Sequence, residues 1–245
     1  MVVLMEKFVS VSGGLDSTAL AIITSKVDKD AKYIFADTGD EFPQVYDHLA
    51  KMESVLGIEI IRVKREQTLG EYEVSSKYFP SPMARFCTRM FKIEPIQRYC
   101  KEHEPYTMAI GIRADENRKG GTGDECVYPL QEYGFAKCDV LTICQEHDLV
   151  PKYPWYMSRG GCYSCFYKSK NELLGLAKYE PDLFDKLVER EESIQDSRKK
   201  YYHMFESIKL PARRIKEIAN EMEQVEMFSK DGLNTYQDCG EFCRK

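Results

Sequence analysis

The run Ser12-Gly13-Gly14-Leu15-Asp16-Ser17-Thr18 has the composition of a polyphosphate grip. Paired glycines let a backbone come close to phosphate oxygens, and amides at a helix start point at negative charge. Ser12 and Ser17 add hydroxyl donors. Asp16 is out of place beside phosphates unless a cation neutralises the cluster, so a Mg²⁺-chelated polyphosphate is the expected ligand. The competing reading is a Gly-Gly turn with Asp16 as a helix cap. A strand pattern before the run and a helix pattern after it favour the phosphate loop.

Sulfur is the second chemical resource. Cys162-x-x-Cys165 follows a glycine, and Cys239-x-x-x-Cys243 forms a second close pair. Four thiolates suffice for a 4Fe–4S cluster or for zinc, with Cys87 as a further ligand option. Reduced thiols or a redox pair are the other reading. Nine cysteines are an odd count, which argues against a closed disulfide framework. Cys100, Cys126, Cys138 and Cys144 read as isolated small hydrophobes or surface residues. The aromatics of Lys152-Tyr153-Pro154-Trp155-Tyr156 either stack on a base or pack their loop on the core.

These groups need a frame. Lys7–Ser12, Lys32–Ala36, Ile58–Val63 and Thr107–Ile112 read as strands. Asp16–Lys26, a segment from Pro43 to Leu56, Lys92–Glu102 and Cys138–His147 read as helices. The alternation predicts an α/β fold with a doubly wound, mostly parallel sheet of PP-loop or Rossmann-like form. Gln67–Ala84 is expected to be an irregular loop and Asp115–Val127 a mobile one. Lys170–Met227 reads as mostly helical, broken at Pro181 and Pro211. The expected division is a nucleotide-binding α/β domain over residues 1–168. A helical C-terminal region with a cysteine-rich tail, 169–245, packs back on it.

Composition bounds the class. The 245 residues are 43% hydrophobic and 31% charged, ordinary for a globular chain able to bury a core. No apolar run approaches the length of a membrane span and no secretory signal is evident, so no membrane role and a cytoplasmic location are expected. A net charge of −5 offers no global attraction to nucleic acid. Local cations such as Arg113, Arg118, Lys119, Arg159, Lys168 and Lys170 leave room for a basic surface.

The loop Ser12–Ser17 matches the SGGxDS signature of the PP-loop ATP pyrophosphatases, and later segments resemble their PAPS reductase-like branch. Those segments are Asp37-Thr38-Gly39 with Phe42-Pro43; Arg85-Phe86-Cys87-Thr88 with Lys92-Ile93-Glu94-Pro95; Gly111-Ile112-Arg113; Glu146-His147-Asp148-Leu149; and Gly161-Cys162-Tyr163-Ser164-Cys165. The resemblance implies a nucleotide site built from Ser10, Ser12, Gly13, Gly14, Asp16, Ser17, Thr18, Asp37, Thr38, Arg85, Thr88, Gly111 and Arg113. It implies Asp16, Lys92 and Arg113 as catalytic groups. Sulfonucleotide reductases resemble these proteins but carry a degenerate loop and a C-terminal Glu-Cys-Gly-Leu-His. Here the loop is complete and the tail reads Asp238-Cys239-Gly240-Glu241-Phe242-Cys243. ATP is therefore the expected nucleotide and adenylyl transfer the expected reaction, with sulfur insertion into a nucleic acid and a sulfur-donor protein implied by relatives. A PAPS or APS reductase and a non-catalytic nucleotide-binding module are the rivals. A homo-oligomer is left open.

Overall fold

The computed structural model describes residues 5–116, 125–158, 160–195 and 201–222. Its centre is a five-stranded, wholly parallel sheet in the order β3-β2-β1-β4-β5. The strands are β1 (Glu6–Val11), β2 (Lys32–Ala36), β3 (Ile60–Val63), β4 (Tyr106–Ala109) and β5 (Cys126–Val127). Register pairs Val9 with both Tyr33 and Ala109, so β1 is central. The chain runs outward from β1 through β2 to β3, then returns to β4 on the other side. That reversal lies between β1 and β4, where open α/β sheets place ligands at their carboxyl ends.

Alternation along the strands divides the core in two. Val9, Val11, Tyr33 and Phe35 face a large cluster with Leu20, Leu49 and Met52, from α1 (Leu15–Val27) and α2 (Pro43–Leu56). Phe8, Ile34 and Met108 face the opposite side, against Cys100 and its helix α5 (Glu94–Lys101). Burying both faces is what parallel strands require, and it explains their near-continuous apolar character.

α7 (Lys137–Glu146) packs beside α1, while α8 (Lys170–Tyr179), α9 (Pro181–Gln195) and α10 (Ala212–Glu221) pack on one another. Leu173, Phe184 and Ile215 belong to the same buried cluster as β1 and β2. The helical region is broken at both expected prolines: Pro181 begins α9 and Pro211 caps α10, so each stands at the start of the next helix.

Two expectations are corrected. Gln67–Ala84 contains a helix, α3 (Leu69–Ser76), opened by a capping box in which Thr68 and Glu71 satisfy each other's backbone amides. Asp115–Val127, expected as one mobile loop, ends in β5, with Met108 opposite Cys126 and Ala109 opposite Val127. Between α3 and α5 lie the short α4 (Phe86–Thr88) and a π-helical turn, Arg89–Ile93. A short α6 (Pro129–Glu132) follows β5. Among the described residues no helix is long and apolar enough to cross a membrane.

Candidate functional site

The sheet's carboxyl edge carries the phosphate loop. Gly13 adopts φ +70°, the left-handed region that favours glycine, and a Cβ there would stand 2.9 Å from Val45 Cγ1. Gly14 precedes α1 as its N-cap and makes no side-chain cap bond, so the helix start keeps its donor character for an anion. The two serines brace the turn from within: Ser12 Oγ lies 3.0 Å from Ser17 Oγ, and the Ser12 amide donates to Ser17 Oγ at 3.1 Å. Thr18 is fully buried, donating to Gly14 O and lying 2.9 Å from His48 Nε2 on α2. Burial holds the His48 imidazole neutral, its pKa lowered to about 4. Tyr153 completes the brace from outside by donating to Gly13 O at 2.7 Å. Tyr156 is buried and stacked on Tyr179, so both tyrosines pack their loop on the core.

Gly111 follows β4 and closes the switch point. A Cβ there would lie 2.9 Å from Asp16 O, so only glycine lets this segment approach the first turn of α1. The approach brings Arg113 to Asp16, with Nη1 donating to Oδ1 at 2.9 Å and to Oδ2 at 2.8 Å. Arg113 also reaches Asp115 at 2.8 Å and Glu116 at 3.2 Å. Burial raises the Asp16 carboxyl above its ordinary value despite the opposing guanidinium. Two of the three expected catalytic groups, Asp16 and Arg113, thus face each other.

On the other face of β1, Ser10 opens into a slot of about 170 Å³. Ile93, Ile96, Met108 and Ile110 give it apolar walls, with Lys92, Gln97 and Glu125 at its polar margin.

The thiols lie at the end of β2. Asp37 accepts from Tyr46 Oη at 2.8 Å and from the Gly39 amide at 2.9 Å. Thr38 Oγ1 donates to buried Glu41 at 3.1 Å and lies 3.4 Å from Cys162 Sγ. Cys162 Sγ donates to the same Glu41 oxygen at 3.3 Å, while Lys92 Nζ stands 3.6 Å from it. The Glu41 carboxylate, with the neighbouring sulfurs, raises the Lys92 ammonium above its ordinary value, so it stays charged. Burial and Glu41 push the Cys162 thiol well up. Lys92 sits within the π-helical turn, a distortion frequent at functional sites. Burial also raises the Cys87 thiol, with Lys92 and Cys165 both close enough to act on it. Arg85 lies over the Tyr167 ring, 5.9 Å from its centroid.

A buried network fastens the cysteine segment to the β2 end. Asp40, without exposure, accepts two bonds from Arg190 of α9, at 2.5 and 2.7 Å. Tyr163 Oη and Ser164 Oγ also donate to Asp40, at 3.2 and 2.5 Å. The Tyr163 amide reaches Asp40 O at 2.8 Å, and Glu41 pairs with Cys162 as an isolated bridge. Glu73 of α3 lies 3.5 Å from Arg190, its carboxyl raised to about 8 by burial and by Asp40. Sequence reading missed Asp40, Glu41, Glu73 and Arg190. Asp40-Glu41 stood between the quoted Asp37-Thr38-Gly39 and Phe42-Pro43, but nothing local pointed to Arg190, 150 positions away from Asp40.

Among the described residues, no three His, Cys, Asp or Glu side chains gather closely enough to hold a metal. Cys162 and Cys165 share one loop, whereas Cys239 and Cys243 lie outside the described residues, as do Arg118, Lys119 and Arg159.

This frame and loop agree with a comparison of sequences. Residues 6–122 match the family model of the phosphoadenosine phosphosulfate reductase domain. That region is similar to a phosphoadenosine phosphosulfate reductase domain over a little under half of the chain. The matched region covers β1 to β4, the glycine loop, Lys92 and Arg113, whereas Cys162 and Arg190 lie beyond it. An uncharacterised protein of Methanocaldococcus jannaschii is 27% identical over 191 residues, covering 74% of this chain and 46% of its own length. The chain thus spans about half of that relative. An uncharacterised nin region protein of Escherichia phage lambda is 27% identical over 204 residues, covering 71% of this chain and 69% of that protein. The crystal structure of phosphoadenylyl-sulfate reductase from Candida auris, a phosphate complex, is similar in fold. Its TM-score is 0.51 at 21% identity, over 67% of this chain and 84% of that one.

Proposed function

We propose that this chain is an ATP-consuming adenylyl transferase whose activated acceptor receives sulfur at the thiol cluster. The supporting observation is a juxtaposition on one sheet edge: a complete glycine phosphate loop after β1, and the Thr38–Glu41–Lys92–Cys162 cluster after β2. An acceptor oxygen attacks the α-phosphorus of ATP, the bond to the β-phosphate breaks, and pyrophosphate leaves. Sulfur from a donor then displaces AMP from the adenylated acceptor. Catalysis of the first step is mainly positioning and charge neutralisation.

The roles follow the geometry. Ser12, Gly13, Gly14, Ser17 and Thr18 shape the loop for the phosphates, and the slot below Ser10 suits a flat base between Ile93, Ile96 and Met108. Asp37, Thr38, Arg85, Thr88 and Gly111 complete the nucleotide-binding set. Arg113 and Lys92 supply positive charge. Asp16 is the carboxylate that would hold Mg²⁺. Both its oxygens accept from Arg113, so cation and guanidinium compete for it. Cys162 and Cys165 supply two thiolates toward a 4Fe–4S cluster or zinc, with Cys87 close by and Cys239 and Cys243 as the remaining pair. Cys162 would have to lose the proton it now donates to Glu41. The nucleotide part takes residues 1–168 and the helical part 169–245, in a cytoplasmic protein with a nucleic-acid acceptor.

Incubation with ATP and with PAPS separates this reading from a sulfonucleotide reductase. Pyrophosphate release from ATP is the expected result. Sulfite release from PAPS in the presence of thioredoxin, with ATP untouched, would replace it with the reductase.

A further inference from the structure

Arg190 stands outside the matched region, yet its guanidinium bonds to Asp40 at the β2 end and to Tyr163 of the segment that carries the thiols. Its Nη1 and Nη2 hold both oxygens of Asp40, and Nη2 also donates to Tyr163 Oη at 2.9 Å. Asp40 in turn gathers Tyr163 and Ser164, the two residues between Cys162 and Cys165. The fork therefore clamps the middle of the Cys-x-x-Cys loop on to the β2 end, one residue from Glu41, which accepts from the Cys162 thiol. Planar bidentate pairing of this kind fixes direction as well as distance, and lysine does not reproduce it. The fold also makes room for the fork. A Cβ at Gly70 on α3 would lie 2.1 Å from Arg190 Cζ.

We propose that Arg190 is a positioning residue for Cys162: acting through Asp40, it holds the Cys162–Cys165 loop closed over Thr38 and Glu41, so that the packing of α9 sets access to the thiol. The proposal rests on the reading that Cys162 belongs to the working site. It makes the helical region part of the site's control, because α9 also carries Phe184 and Leu187 into the main core.

The test is alkylation of the full chain by iodoacetamide, with each cysteine followed by peptide mass. Buried Cys100, on the opposite face of the sheet, reports general opening. Gly70→Ala leaves every bonding partner in place, improves local helix propensity and pushes the guanidinium off Asp40. Cys162 is expected to react about tenfold faster or more in Gly70→Ala and in Arg190→Met, with Cys100 unchanged, because only a local opening is made easier. Ser164→Ala, which deletes a single bond to Asp40, should give a smaller rise. Unchanged Cys162 labelling in Gly70→Ala, or Cys162 and Cys100 rising together in it, overturns the proposal. Should Arg190→Met fail to fold, Gly70→Ala and Ser164→Ala decide alone. Labelling needs no nucleotide, so it can fail while pyrophosphate release stands, and the reverse.

Discussion

Asp16 and Arg113 illustrate what a motif conveys and what it withholds. Asp16 was singled out in the sequence because an acid beside bound phosphates calls for a neutralising cation. That its partner is Arg113 was not legible, because the contact spans 97 positions and depends on Gly111 passing close to α1. Replacing Asp16 with Ala leaves Arg113 facing the loop with only Asp115 and Glu116 to oppose it. Pyrophosphate release is expected to fall by about 100-fold or more, the scale on which a preorganised charge contributes. Unaltered turnover in Asp16→Ala would remove the carboxylate from the chemistry. Glu73 gives a prediction of a different kind. Its carboxyl, ordinarily near 4.5, is raised to about 8 by burial and by Asp40, against the pull of Arg190. Between those values the folded protein keeps a proton that the unfolded chain has lost. The stabilisation is therefore complete below about 4.5 and is lost as pH rises through 8. Urea midpoints should fall from pH 5 to 8 more steeply for the native protein than for Glu73→Gln. Parallel curves would show that Glu73 does not titrate in this window.

At the scale of elements, the four long strands and the helices after β1 and β2 could be read because their periodicity and glycine punctuation agree. The misreadings have local causes. Gln67–Ala84 looked irregular because its prolines and aromatics outweighed a short helix, yet Thr68-x-x-Glu71 is a capping box that a closer reading could have used. β5 has only two residues, too short for any alternation to register. The π-helical turn at Arg89–Ile93 has no sequence signature, although it places Lys92 beside Glu41. Because α3 carries both Gly70 and Glu73 to Arg190, its start matters beyond its own length. Thr68→Ala removes the cap and should cost about 1 kcal/mol in chemical denaturation. A loss indistinguishable from zero would mean that packing on α9 alone holds the helix.

Across the whole molecule, the sheet's carboxyl edge gathers chemistry from distant parts of the chain. β1 brings the phosphate loop, β2 the Asp37–Glu41 segment, and β4 the Gly111–Arg113 approach. The cysteine loop and α9 are then fastened across the β2 end by a buried ion pair. Breaking such a pair by removing one partner typically costs about 3–5 kcal/mol, because the remaining charge is stranded. That long-range closure is the part least available from sequence, since each member alone reads as a surface polar residue. The central claim is that backbone amides at Ser12–Ser17 grip the triphosphate end of a nucleotide. A crystal soaked with ATP and Mg²⁺ examines it most directly. The account predicts β- and γ-phosphate oxygens within hydrogen-bond distance of those amides, with the base directed toward the slot below Ser10. A nucleotide bound elsewhere, with the glycine loop empty, would contradict it.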